Sequence, residues 1–85
     1  AWQHQRVKNG TKRWLVLCYI SVTGGCTDEE GQEGLRMSGN TYRPRRRELE
    51  DQYHLVVDSG ERRPCHSGEM AVVWRVKEGA VWSEE

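Results

Sequence analysis

Hydrophobic positions along the chain form short runs separated by glycine-containing turns. The longest apolar run, WLVLCYI at positions 14–20, is only seven residues long. Asn9-Gly10 and Glu78-Gly79 each stand between two potential strands. Asn-Gly is a strong hairpin signal, because both central residues of a type I′ turn need positive φ. Apolar runs of strand length between such turns predict β-strands.

This pattern predicts six strands, at residues 2–8, 11–22, 34–41, 52–58, 69–77 and 80–83. The segment 11–22 is apolar at both odd and even positions, so we expect it to be the central strand. Six short strands with glycine turns indicate an all-β fold, a small six-stranded antiparallel β-sandwich or barrel, in one domain of residues 1–85. The predicted core contains Trp14, Val16, Leu17, Ile20, Leu55, Val57, Val72, Trp74 and Val76.

The acidic segment GGCTDEEGQEG is predicted to be a loop. Thr27 and Glu30 have the spacing of a capping box, which marks a helix N-terminus. Gly31 and Gly34 follow at once, and glycine is a poor helix former. We therefore expect a single helical turn at most.

The segment RPRRRELEDQ could form one helical turn with Pro44 at its first position. Arg46 would then meet Glu50, and Arg47 would meet Asp51, at the i,i+4 spacing of helical ion pairs. Such pairs would neutralise much of the local positive charge.

Charge and length limit the function classes. The chain of 85 residues has 13 Lys plus Arg and 13 Asp plus Glu, so its net charge is zero. Duplex-DNA binders usually carry a positive excess, so nucleic acid is expected to be an unlikely partner. No apolar stretch approaches the roughly 20 residues of a membrane span, and we expect no signal peptide ahead of the run WLVLCYI. We expect a cytosolic chain or a mature secreted one without its leader, and a monomer rather than an oligomer.

The arginine cluster is the first candidate binding site, with partner-binding residues Tyr42, Arg43, Arg45, Arg46 and Arg47. It has three interpretations: a self-neutralised surface turn, a docking patch for a protein, or a nucleic-acid site. A single-strand platform would need interleaved aromatic residues, and only Tyr42 and Tyr53 are near.

Three cysteines leave an odd thiol. Cys18 lies in the apolar run and is expected to be buried and free. Cys26 and Cys65 lie in loops, where a disulfide between them is the preferred prediction, with a Cys18–Cys65 pair as the alternative. A 26–65 bridge would contribute roughly 4 kcal/mol by the chain-entropy argument.

The sequence gives little support for a catalytic site or a metal site. Cys65-His66 could contribute to a zinc site or a Cys–His nucleophile, but neither close ligand pairing nor an orienting third group is evident. The sequence contains no P-loop and no Gly-x-Gly-x-x-Gly. We therefore expect no enzyme activity, cofactor or metal. Asn9 begins a formal glycosylation motif, which a hairpin turn explains equally well.

The opening WQHQRVKNGTKRWLVLCYISV, with its tight Asn-Gly turn before a long apolar run, resembles the start of the MAX effectors, small secreted proteins of plant-pathogenic fungi. Cys65 fits their cysteine before strand 5, whereas their other cysteine lies in strand 1, where this chain has none. The resemblance implies a six-stranded β-sandwich and a secreted, non-enzymatic virulence protein. Its partner would be a host protein, which it would bind through an exposed sheet edge and surface side chains. The implied sites of action include the interior of the host cell. The alternative is a cytosolic SH3-like or OB-like barrel that binds nucleic acid or a chromatin tail through residues 43–47.

Overall fold

The computed structural model describes residues 7, 8 and 10–80. Three helices and two strands follow in order, α1 Lys12–Thr23, α2 Asp28–Leu35, α3 Gly39–Asp51, β1 Val56–Pro64 and β2 Met70–Val76. The predicted all-β sandwich is therefore wrong, since the described residues have a mixed α/β fold in which an antiparallel pair of strands forms the sheet. Cys26 adds a single β-bridge to β2 at Trp74.

The segment 11–22, predicted as the central strand, is helix α1. Thr11 caps its start, because its hydroxyl accepts a hydrogen bond from the Trp14 N–H at 3.1 Å. Gly24 ends it in the left-handed conformation, with φ 77°. Its buried residues are Val16, Leu17 and Ile20. These three residues lie on one helix face, whereas Leu15 and Val22 of the same apolar segment are exposed, so the two buried strand faces that the segment suggested are not present.

Helix α2 begins where the capping-box spacing predicts, and both reciprocal hydrogen bonds of Thr27 and Glu30 are present. The loop predicted for GGCTDEEGQEG is wrong, because the helix continues for eight residues rather than one turn. Its two glycines have a packing role, because a Cβ at Gly31 would overlap the ring of Tyr42, and one at Gly34 would overlap Tyr19. The glycines thus bring α3 and α1 close to α2.

A three-residue turn, residues 36–38, joins α2 to α3 where a strand at 34–41 was predicted. Arg36 takes the left-handed conformation, with φ 57°. The amides of Arg36 and Met37 bond back to the last turn of α2, in the pattern of a Schellman cap. Ser38 then caps α3 through its hydroxyl. The polar turn therefore separates two helices, which explains why the strand prediction is wrong.

Helix α3 is longer than the single turn predicted from Pro44. It begins at Gly39, so the proline lies in the helix interior and not at its first position. The predicted Arg46–Glu50 pair is confirmed, at 2.9 Å. The predicted Arg47–Asp51 ion pair is absent.

The two strands form a hairpin. The predicted strand 69–77 is confirmed as β2, whereas only the last residues of the predicted strand 52–58 belong to β1. The register shifts between Asp58 and Arg62, and the bulge contains Gly60 at φ 89°. The predicted strands 2–8 and 80–83 fall mostly outside the described residues, and Val7, Lys8 and Ala80, which are described, are not in strands.

Helices α1 and α3 and both strands supply buried side chains to one hydrophobic core, and Leu35 of α2 packs against it. Its buried members are Val7, Val16, Leu17, Ile20, Cys26, Tyr42, Leu49, Leu55, Val56 and Val73. Four of the predicted core residues are among them, and the other five (Trp14, Val57, Val72, Trp74 and Val76) are half-buried. In β2 the buried residue is Val73, whereas the predicted core positions Val72, Trp74 and Val76 on the opposite face are half-buried. No described helix is long and apolar enough to span a membrane.

The predicted disulfide is wrong, because all three cysteines are free. Cys26 is buried in the core, with its Sγ 3.8 Å from the Tyr42 hydroxyl. Cys65 lies in the hairpin turn, where its thiol donates to the Glu69 carbonyl at 3.1 Å. Cys18 is free as predicted, but it is half-buried rather than buried.

We predict that Gly31→Ala destabilises the protein by about 1–3 kcal/mol, although alanine is the better helix former. The added Cβ overlaps the Tyr42 ring, which is fixed in the core. Gly39→Ala is the matched control, because its Cβ would meet only Gln32, at an ordinary 3.4 Å. Urea unfolding should show loss of stability for the first variant and none for the second. Equal effects would contradict the proposed helix contact.

We also predict three titratable thiols per chain under denaturing, non-reducing conditions. In the native protein Cys26 should react last, because it is 2% exposed and burial raises the pKa of its thiol. Ellman's reagent measures both the number and the rates. A count of one thiol would restore the disulfide prediction.

Candidate nucleic-acid interface

Arg46 is a buried cation that joins three elements. Its Nε and Nη2 donate to the two carboxylate oxygens of Asp28, each at 2.9 Å, and its Nη1 donates to Glu50. The guanidinium carbon lies over the Trp74 ring, 4.0 Å from the ring centroid. Arg46 therefore ties α3 to the first turn of α2 and to β2.

Electrostatics keeps this arginine charged. Burial alone would lower the pKa of Arg46, but the hydrogen bonds and charge of Asp28 outweigh burial and raise it. Forked pairing of this kind is specific to arginine. Because its donors point to internal carboxylates, the charge of Arg46 serves the fold rather than an external partner.

Arg45 is also paired within the fold. It donates to Glu48 at 3.0 Å, and Arg13 of α1 donates to the same carboxylate at 2.8 Å. Partial burial would raise the pKa of Glu48, but the two arginines outweigh it and lower the pKa. This triad attaches the middle of α3 to α1.

The outward face of α3 carries exposed side chains. Asn40, Arg43, Pro44 and Arg47 are all exposed, at the helical spacing of a single stripe. Within residues 7, 8 and 10–80, neither Arg43 nor Arg47 forms an ion pair. A concave surface that encloses a volume of about 540 Å³ follows this stripe. Asp51 lines it near the C-terminal end of α3. We call these four residues the outward stripe.

The β-hairpin flanks α3. A cleft of about 250 Å³ lies between α2, α3 and the hairpin, and it is lined by Asp28 and Glu29 of α2 together with Arg43, Arg46, Cys65 and Val72. The hairpin is held to α2 by Arg63, whose Nη1 donates to Glu30 at 2.7 Å. Arg43 thus borders both the concave surface and the hairpin cleft.

The hairpin turn also contacts α2. The backbone N–H of His66 donates to Glu29 at 3.0 Å, and its ring nitrogens lie 3.6 Å from Glu29 and 3.4 Å from Glu33. The neighbouring Cys65 thiol is directed to Ser67 and Glu69 instead. In the part of the chain that the structure describes, no three His, Cys, Asp or Glu side chains converge as a metal site requires.

The structure thus separates the five residues predicted as one binding patch. Tyr42 is 1% exposed, and burial raises the pKa of its hydroxyl well above the ordinary value. Arg46 is buried and Arg45 half-buried, whereas Arg43 and Arg47 are exposed. Sequence reasoning missed Asn40 and Pro44 as site residues. The available signal was the helix-capping Ser38, from which the stripe spacing could have been counted.

Helix α2, the three-residue turn and α3 together have the layout of a helix-turn-helix. No protein-family model matches the chain, and neither a curated protein nor a solved structure matches it. The function is therefore argued from the residues of the outward stripe and the elements that position it.

We predict that Arg46→Lys destabilises the protein by about 2–3 kcal/mol, because lysine lacks the forked donors and leaves Asp28 poorly paired. Arg45→Lys is the control on the same helix. Its more exposed pair with Glu48 should make that change cost less than about 1 kcal/mol. Thermal unfolding of both variants measures the difference, and equal losses would show that Arg46 does not join the elements as described.

Proposed function

We propose that this chain binds double-stranded DNA by placing α3 in the major groove. The observation that carries the proposal is the outward stripe, in which two unpaired arginines and an asparagine share one exposed face of the second helix of a helix-turn-helix. That helix enters the major groove in DNA-binding domains of this layout.

The chemistry of the stripe fits base edges. Arginine can donate two hydrogen bonds to guanine O6 and N7, and asparagine can pair with adenine N6 and N7. Asn40 and Arg43 lie in the N-terminal half of α3, the half that contacts bases in this motif. The exposed Arg47 follows Arg43 after one helical turn.

The remaining architecture supports the same function. Three helices followed by a β-hairpin beside the second helix of the motif is the order found in winged helix-turn-helix domains, a class that binds duplex DNA. Arg43 lies between the concave surface and the hairpin cleft, so a duplex lying along α3 would also meet the hairpin.

The net charge of zero argued against nucleic-acid binding, but the charged residues are distributed unevenly. Carboxylates pair with Arg13, Arg45, Arg46, Arg62 and Arg63 inside the fold or along the hairpin. The described acidic residues leave the arginines of the outward stripe unpaired. A local basic face can therefore exist in a neutral protein. Binding should nevertheless be weak without sequence-specific contacts, because few phosphates would be neutralised.

The other expectations are not equally supported. Weak or absent binding to single strands at physiological salt stays a prediction, since Tyr42 is buried and Tyr53 stacks with Arg13, at 5.2 Å. Binding to a host protein as a secreted effector also stays a prediction. The β-sandwich that the effector resemblance implied is not the fold of this chain.

We predict that Arg43→Gln with Arg47→Gln weakens duplex binding at least about 30-fold, because each lost bidentate contact is worth about 1–3 kcal/mol. Fluorescence anisotropy on a duplex selected from a random pool, titrated at several salt concentrations, measures the loss. Wild-type affinity should fall linearly on a log–log plot against salt.

The matched control is Lys8→Gln with Lys12→Gln, which changes net charge equally at two exposed positions outside α3 and the hairpin. It should weaken binding by less than about threefold, because neither lysine belongs to the proposed interface and charges beyond a Debye length are largely screened. Both double variants should melt near the wild-type temperature. Equal weakening in the two double variants, or no duplex binding by the wild type, would refute the proposal.

A further inference from the structure

Pro44 is the one member of the outward stripe that carries no hydrogen-bonding side chain. It is exposed, and it lines the same concave surface as Arg43 and Arg47. It does not belong to the buried core or to the half-buried side chains that pack against that core.

A proline at this position is costly for a helix. It has no N–H to offer the carbonyl of Asn40, four residues earlier, and its ring crowds that carbonyl. Proline is by far the least favourable residue in a helix interior. Nothing in the described packing of α3 requires the ring. A locally unfavourable residue on a candidate binding face, outside the packed core, points to a function of that residue.

We infer that Pro44 recognises the 5-methyl group of a thymine, and is therefore a specificity-determining residue. This inference rests on the proposed binding of α3 in the major groove. Thymine is the base that presents a methyl group in that groove, and apolar side chains contact it. The proline ring offers a rigid apolar surface without a competing donor.

Helix geometry places this thymine close to the bases facing the arginines. Along α3, Pro44 lies about 1.5 Å beyond Arg43 and about 4.5 Å before Arg47, at 1.5 Å per residue. Base pairs are spaced at about 3.4 Å. The thymine should therefore lie within about two base pairs of a guanine contacted by Arg43 or Arg47.

The test uses the full chain and a duplex selected by it from a random pool. Each thymine is replaced in turn by deoxyuridine, which removes only the methyl group. At one position the wild type should bind about fourfold more weakly, equivalent to about 0.8 kcal/mol for one buried methyl group. Pro44→Ser should lose the same factor on the thymine duplex and should not distinguish thymine from deoxyuridine.

Lys12→Gln is the control and should keep the full fourfold difference. Pro44→Ser should melt at or above the wild-type temperature, because serine restores the missing N–H. A melting temperature lowered by more than about 5 °C would overturn the inference, since the ring would then be needed by the fold.

The two proposals fail differently. If the wild type binds its duplex but every deoxyuridine substitution is neutral, or if Pro44→Ser keeps the difference, the role of Pro44 is refuted and DNA binding stands. If the wild type selects no duplex, both proposals are refuted.

Discussion

The fold depends on one largely buried ion pair, the forked contact of the buried Arg46 with the half-buried Asp28. It fixes α3 against the start of α2, and stacking on Trp74 fixes the same arginine against the hairpin. A buried charge whose partner is removed is strongly destabilising, so the three elements are held in one geometry. The direction in which the outward stripe faces follows from this geometry. The ion pairs of Arg45 and Arg46 therefore set the orientation of α3, which places Arg43 and Arg47 on its exposed face.

Part of the fold was predictable from local signals. The capping-box spacing of Thr27 and Glu30 marks the start of α2, although the segment was predicted to be a loop with one helical turn at most, and the predicted strand 69–77 is β2. The run WLVLCYI was wrongly predicted to be a strand. A short apolar run with β-branched and aromatic residues fits both the two-residue period of a strand and the 3.6-residue period of a helix. Thr11 before it and Gly24 after it are helix-capping residues, and they would have decided between the two.

The glycines and arginines show that contacts between residues distant in the sequence cannot be predicted from local sequence patterns. Gly31 reads as a helix breaker until the ring of Tyr42, eleven residues away, occupies the space beside it. Arg46 has the spacing to pair with Glu50, which is correct, yet its stronger partner is Asp28, eighteen residues earlier. Such contacts are set by tertiary packing. For the same reason, the sequence located the arginine cluster but could not divide it into inner and outer members.

Helix α3 is formed largely by its neighbours. A 13-residue helix is marginal in isolation, and this one contains Gly39, Asn40 and an interior Pro44, all poor helix formers. Its order therefore comes from packing against α1, α2 and the hairpin. The helix-turn-helix segment alone would be largely unfolded in water, and the smallest autonomous unit must extend through β2. A transplant of this helix to another scaffold would have to carry its supporting contacts with it.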